Sequence, residues 1–315
     1  MAARETYSGL LAIYKPAGMS SHDAVQEVRK LTRQQKIGHA GTLDPLAEGL
    51  LILCLGRATK IVQFLVDHDK TYEATIRLGQ RSRTYDAEGL DENEAPNPVP
   101  DFRPDRIMQL LGQYCGTHSQ RVPVYSAVRV NGQRLYKAAR RGEEIEAPVR
   151  EVHISYIRLV SYDKPDLRIQ IRCSKGTYIR SLAHDIGERI GCGAYLKSLK
   201  RTAIGSLRVD GARTLEEIRR MAEAGLLQKS LLPIEEALHF AAVWVSDRFR
   251  EFVVQGKPLM GRDVVKIDGA FSAGENIVLK DRAGVVLAVG TAEADWTRFR
   301  PETQESLFHY VRVLN

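Results

Sequence analysis

The chain has 315 residues, 43% of them hydrophobic and 27% charged, with a formal net charge of +7. That length can bury a large core and holds up to two domains, and the positive excess favours a polyanionic partner such as nucleic acid. No stretch reaches the ~18 apolar residues of a membrane span. The four cysteines (Cys54, Cys115, Cys173, Cys192) include no close pair, which argues against a zinc site or a disulfide scaffold and for a reducing, cytoplasmic setting. The opening MAARETYSGLLAIYKP has no long apolar run, so no secretory leader is expected.

In chain order, LAIYKP (11–16) reads as a short strand followed by a turn. Ser20 and Asp23 are then spaced as a capping box, opening a helix with Val25, Val28 and Leu31 on one face. The string GHAGTLDPLAEG (38–49) comes next. It places one carboxylate, Asp44, in a turn, with His39 upstream and Pro45 behind it. A bare Asp-Pro is usually only a turn initiator. Here Gly38 and Gly41 flank His39 and would permit close approach or positive φ. The apolar run LLILCLG (50–56) follows as a buried strand. A carboxylate mounted beside a rigid buried strand suits a nucleophile or general base.

KTYEATIRLG (70–79) alternates as a strand should, and a strand tyrosine such as Tyr72 is most often half-buried packing. The proline-rich stretch 91–104 reads as a loop. In 121–150, Asn131-Gly132 between alternating apolar residues signals a type I′ hairpin, and LYKAARRG a short helix ending at Gly142. Arg121, Arg129, Arg134, Lys137, Arg140, Arg141 and Arg150 make that segment basic. Strands return at 150–162 and 167–174. A helix follows from about Tyr178 to Ile190, with Ile179, Leu182, Ala183, Ile186 and Ile190 as its apolar stripe. A lone Arg180 in its first turn would ordinarily be solvated. From about Ala241 short strand-like runs dominate, including a hairpin connection at Asp281–Gly284. The mixture without a βαβ rhythm predicts an α+β fold with a mostly antiparallel sheet, followed by a small all-β domain. No internal repeat, metal-binding cluster or phosphate-gripping glycine loop is present in the pattern, so cofactor-free chemistry is expected, with no metal.

The string from Gly38 to Gly49 resembles the catalytic motif of the TruB-type tRNA pseudouridine synthases, which isomerise uridine 55 in the T-loop of tRNA. KTY (70–72) and KGTYIR (175–180) resemble two further motifs of that family, and the likeness runs from about Leu10 to the C-terminus. The resemblance implies a pseudouridine synthase catalytic domain over 1–240, with 121–150 as an RNA-binding insertion that closes over the T-loop, and a PUA-like RNA-binding domain over 241–315. It implies Asp44 as the catalytic residue, Arg180 as its ion-pair partner, and Tyr72 as a catalytic residue that also lies against the target base. Tyr178 and Leu199 are implied to line the substrate pocket, and His39 to contact RNA rather than do chemistry.

Isomerisation of uridine breaks a C–N bond and forms a C–C bond between the same ribose and base. Nothing is oxidised or added, so no cofactor is needed. A carboxylate could attack the sugar or the base, or support an elimination, and the residues do not choose among these. A neighbouring arginine favours the ionised carboxylate and can pair with it bidentately. The expected partner is the T-arm stem-loop of tRNA, bound by a monomer with no obligatory protein partner and no membrane. A guide-RNA-dependent relative and a non-catalytic RNA-binding protein are the alternatives. The basic hairpin insertion weighs against the first, and the intact Asp44, Tyr72 and Arg180 motifs against the second.

Overall fold

A computed structural model describes residues 7–91, 93, 95–143 and 145–314; residues 1–6, part of the stretch read for a leader, lie outside it. Among the described residues no helix is long and apolar enough to cross a membrane. Ten strands form one sheet. Its main path runs Arg213–Thr214, Gly9–Lys15, Glu48–Leu55, Ala194–Ile204, Lys70–Leu78, Asp166–Cys173, Val149–Asp163 and Gly116–Arg121. Two of the neighbouring pairs on this path are parallel, those of Gly9–Lys15 with Arg213–Thr214 and of Glu48–Leu55 with Ala194–Ile204. The other pairs on the path are antiparallel, as the sequence pattern predicts.

The strand Glu48–Leu55 explains why its sequence is a continuous apolar run. Leu51, Leu53 and Leu55 pack into a core beneath the helices, whereas Leu50, Ile52 and Cys54 pack into a second core on the opposite face. A strand buried on both sides has no polar face to alternate with. The helices Ser21–Thr32, Pro104–Gly112, Ile179–Ile190 and Leu215–Glu223 cover the first face with Val25, Val28, Ile107, Leu111, Leu182, Ile186 and Ile218. The capping box at Ser20 and Asp23 is formed. The helix Ile179–Ile190 ends at Gly191, whose φ of 89° suits a residue without Cβ.

Several elements depart from the sequence expectation. The loop stretch 91–104 ends in a helix, Pro104–Gly112, which uses Pro104 at its first position. The polar segment GTHSQR also forms an edge strand, Gly116–Arg121, although only Gln120 of its side chains is buried. In the basic insertion the hairpin forms where Asn131-Gly132 predicts it. Both residues have positive φ, 51° and 80°, and Arg129 pairs with Arg134 across the turn.

Residues from Ala241 onward form a five-stranded sheet in the order Val264–Asp268, Ala241–Val245, Asn276–Lys280, Val286–Ala292 and Phe308–Val313. The hairpin connection at Asp281–Gly284 joins the third and fourth of these. A helix, Asp247–Val254, was not expected. It is capped by Ser246 and packs Phe249 and Val253 against this sheet's own core. The other side of the sheet is not independent. Ala242, Val278, Val286, Val289 and Leu314 share one apolar cluster with Leu50, Ile52, Phe64, Ile234 and Leu238. Lys60 Nζ donates to the Val313 carbonyl at 2.8 Å, and the Val286 amide to Glu235 Oε1 at 3.0 Å, across the same boundary.

Candidate active site

The Asp44 turn is fastened at several points before any side-chain chemistry is considered. Ser21, at the start of the first helix, bonds both the carbonyl and the amide of Leu43, at 3.0 and 2.8 Å. The Gly18 amide donates to the Pro45 carbonyl and the Ala47 amide to the Asp44 carbonyl. Two glycines are sterically required. Gly41 has φ 96°, and Gly49 has φ 101° with a Cβ at that position falling 2.4 Å from the Arg201 carbonyl oxygen. Gly38, expected to share this role, has neither a positive φ nor a close neighbour.

Arg180 stands in the first turn of the helix Ile179–Ile190. That helix start has no side-chain cap of its own. Instead the buried Gln120 amide accepts from the Tyr178 amide at 2.8 Å and donates to the Tyr178 carbonyl at 3.0 Å. This gives the polar edge strand its purpose, since it holds the helix end that carries Arg180. The guanidinium is buried, contrary to the usual fate of a lone helix arginine. Its Nε donates to Asp44 Oδ2 at 2.9 Å. The pairing is not bidentate. Nη1 donates to the Thr84 carbonyl at 3.0 Å and Nη2 to the Tyr125 carbonyl at 3.2 Å, while Nη1 also lies 3.4 Å from Asp86 Oδ2. One arginine therefore ties together the Asp44 turn, the 82–86 loop and the base of the basic insertion. Asp86 was not singled out from the sequence. Its side chain is 6% exposed against 37% for Asp44, so Asp44 is the carboxylate that a ligand can reach.

A cleft of about 340 Å³ opens above this pair. Asp44, Tyr72, Tyr178, Arg180 and Leu199 all line it, together with Arg201. Five of the six side chains expected at the site thus meet in one place. The sixth, His39, is half-buried on the short strand Ile37–His39 and is not among the lining residues. Burial, aided by the Arg201 charge, holds its imidazole below the ordinary histidine pKa. Burial pushes the Tyr72 phenol above the ordinary tyrosine value, opposed by the neighbouring Arg201 cation. Tyr178 is also raised by burial. Two lysines sit low in the same region. Lys70 lines the cleft and is drawn down to about 8 by burial and by Arg201, and Lys15, beneath the Asp44 turn, is brought to about 8 chiefly by burial.

Arg201, like Asp86, was missed in the sequence. It follows Leu199 by two positions in a strand, where an arginine ordinarily faces solvent; here it is 1% exposed. Among the described residues no group of His, Cys, Asp and Glu is placed to hold a metal ion. The basic side chains of the insertion, Arg121, Arg129, Arg134, Lys137, Arg140, Arg141 and Arg150, are all exposed, with Arg141 paired to Glu143.

Residues 29–179 match the family model described as TruB family pseudouridylate synthase, N-terminal domain. Residues 180–239 match the tRNA pseudouridylate synthase B C-terminal domain, and 241–300 the PUA domain. A protein of Bacillus licheniformis named tRNA pseudouridine synthase B is 40% identical over 91% of this chain and 92% of its own length. One of the same name from Xanthomonas axonopodis pv. citri is 42% identical over 91% of each. Among solved structures, a Cbf5-Nop10-Gar1 complex and an H/ACA RNP bound to a substrate RNA containing 2'-deoxyuridine each match with TM-score 0.77 at 25% identity. Each match covers 98% of this chain and 85% of the other.

Proposed function

We propose, for a chain that belongs to the TruB family of pseudouridylate synthases, that it isomerises uridine 55 in the T-loop of tRNA to pseudouridine. The observation that carries this reading is the Asp44–Arg180 pair at the base of a cleft that Tyr72, Tyr178 and Leu199 also line. In this reading Asp44 is the group that acts on the nucleotide, as nucleophile or in support of an elimination. Arg180 holds it, and Tyr72 lies against the base. Leu199 and Tyr178 supply the walls of the pocket.

A uridine in the tRNA elbow is stacked, so it must leave the stack to enter the cleft, at a cost of a few kcal/mol. Contacts with the rest of the T-arm would offset that cost. The exposed arginines of the 121–150 hairpin and the exposed cations Lys257, Arg262, Lys266 and Arg282 support this by charge. His39, outside the cleft, is assigned to RNA contact. The isomerisation needs no redox partner or added group, and we assign it no cofactor. We place the activity in the cytoplasm, with tRNA as the only obligatory partner. Identity of about 40% to proteins named tRNA pseudouridine synthase B, against 25% to Cbf5 in its complex, supports stand-alone action over guide-RNA dependence.

Incubating the purified protein alone with an unmodified tRNA transcript and mapping pseudouridine by chemical probing tests this. Conversion at position 55 alone is expected. Conversion elsewhere would overturn the site assignment, and no conversion without a guide RNA would overturn the stand-alone reading.

A further inference from the structure

Arg201 is buried without a carboxylate to balance it. Among the described residues it takes part in no ion pair closer than 4.0 Å. Instead its Nε donates to the Leu50 carbonyl at 2.8 Å, Nη2 to the Gly41 carbonyl at 3.0 Å and Nη1 to the Thr42 carbonyl at 3.4 Å. Its charge also lies close to the Tyr72 phenol and opposes the rise that burial gives the phenol's pKa. A buried cation held by neutral groups is costly to keep, and burial draws its pKa below the usual arginine value. Packing alone would be served as well by an apolar residue.

Register shows what the arginine joins. On the strand Ala194–Ile204, Arg201 lies directly opposite Tyr72 on one neighbouring strand and Gly49 on the other. From that position it reaches both ends of the segment that carries Asp44, through the carbonyls of Gly41 and Thr42 before it and of Leu50 after it. The close approach of the Gly49 backbone to the Arg201 carbonyl leaves this arrangement little room to shift.

We infer that Arg201 is a positioning residue, which locks the Asp44 turn into one fixed relationship with the strand that carries Tyr72. Arg201 thereby prevents the Asp44 turn from moving away from the Tyr72 strand before a ligand arrives. Preorganisation of this kind acts on the rate of the reacting complex more than on its formation. The inference rests on the proposed isomerisation at this cleft.

The test is Arg201→Lys in the full-length protein, measured by single-turnover conversion of unmodified tRNA, alone and combined with Tyr72→Phe. Lysine keeps the charge but cannot serve three carbonyls in a fork. Arg201→Lys should slow conversion about ten- to hundredfold, while tRNA affinity stays within about threefold. The double variant should be slowed less than the product of the two single effects. Independent, multiplicative losses, an unchanged rate, or a loss confined to affinity would overturn the inference. Wild-type conversion in the same assay separates its failure from failure of the proposed function. Should Arg201→Lys not fold, protein with ¹⁵N-labelled arginine offers a second readout. Tyr72→Phe should then shift the signals of one slowly exchanging guanidinium, and an unchanged arginine spectrum would overturn the inference.

Discussion

Arg180 Nε lies 2.9 Å from Asp44 Oδ2, and the same guanidinium is 3.4 Å from Asp86 Oδ2. The two carboxylates differ in access. Asp86 is buried with the arginine, and Asp44 faces the cleft. The arginine is held from behind by Asp86 and two carbonyls, so its remaining Nε–H is aimed at the one acid a substrate could touch.

Arg180→Lys tests that arrangement. An ammonium cannot reach Asp44, the Thr84 carbonyl and the Tyr125 carbonyl together, and leaves Asp86 without its buried partner. Removing one member of a buried pair costs about 3–5 kcal/mol. Both the melting temperature and the single-turnover rate should fall, the rate by at least about a hundredfold. Near-wild-type values of both would mean that the observed pairing is not functional.

The two low lysines give a pH signature. Lys15 and Lys70 titrate near 8 in the folded protein, against about 10.4 in an unfolded chain. Between those values the unfolded chain binds more protons than the folded one, so stability rises with pH through that window. The buried thiols of Cys54 and Cys173, each pushed up to about 12, work in the opposite direction above about pH 8.5, and Tyr72 and Tyr310, the latter also pushed up to about 12, do so above about pH 10. The urea midpoint should therefore climb from pH 7.5 to 8.5, and Lys70→Met should flatten part of the climb. A midpoint that falls over this range, or a Lys70→Met profile identical to wild type, would contradict these assignments.

The C-terminal sheet shares an apolar cluster with the catalytic half, and this alters what truncation should do. A chain ending at residue 240 loses Ala242, Val278, Val286, Val289 and Leu314 from that cluster. It should melt more than about 5 °C lower than the full protein, rather than behave as an untouched domain. Its tRNA affinity should also depend less steeply on salt, if Lys257, Arg262, Lys266 or Arg282 touches phosphate. Unchanged melting and an unchanged salt slope would show that the C-terminal sheet contributes neither packing nor binding.

What the sequence revealed follows from the range of the forces involved. Turns and caps are local, so Asn131-Gly132, the Ser20–Asp23 capping box and the helix end at Gly142 could be read directly. The two-sided burial of 50–55 appears as an unbroken apolar run. Asp44, Tyr72 and Arg180 became legible as candidates through their motifs, since alone each has a blander reading. Asp86 and Arg201 had no such marker. One is an acid in a polar loop and the other a basic residue in a strand, and only the tertiary fold buries them. The edge strand Gly116–Arg121 escaped notice for a similar reason, because its one buried side chain, Gln120, is polar and bonds a helix end.

The central claim is that Asp44 carries the chemistry while affinity is spread over many other contacts. Full-length Asp44→Asn, mixed in excess with unmodified tRNA, should form no pseudouridine in a single-turnover mapping assay. Its tRNA dissociation constant should stay within several-fold of wild type. Measurable conversion at position 55 by this variant would contradict the account.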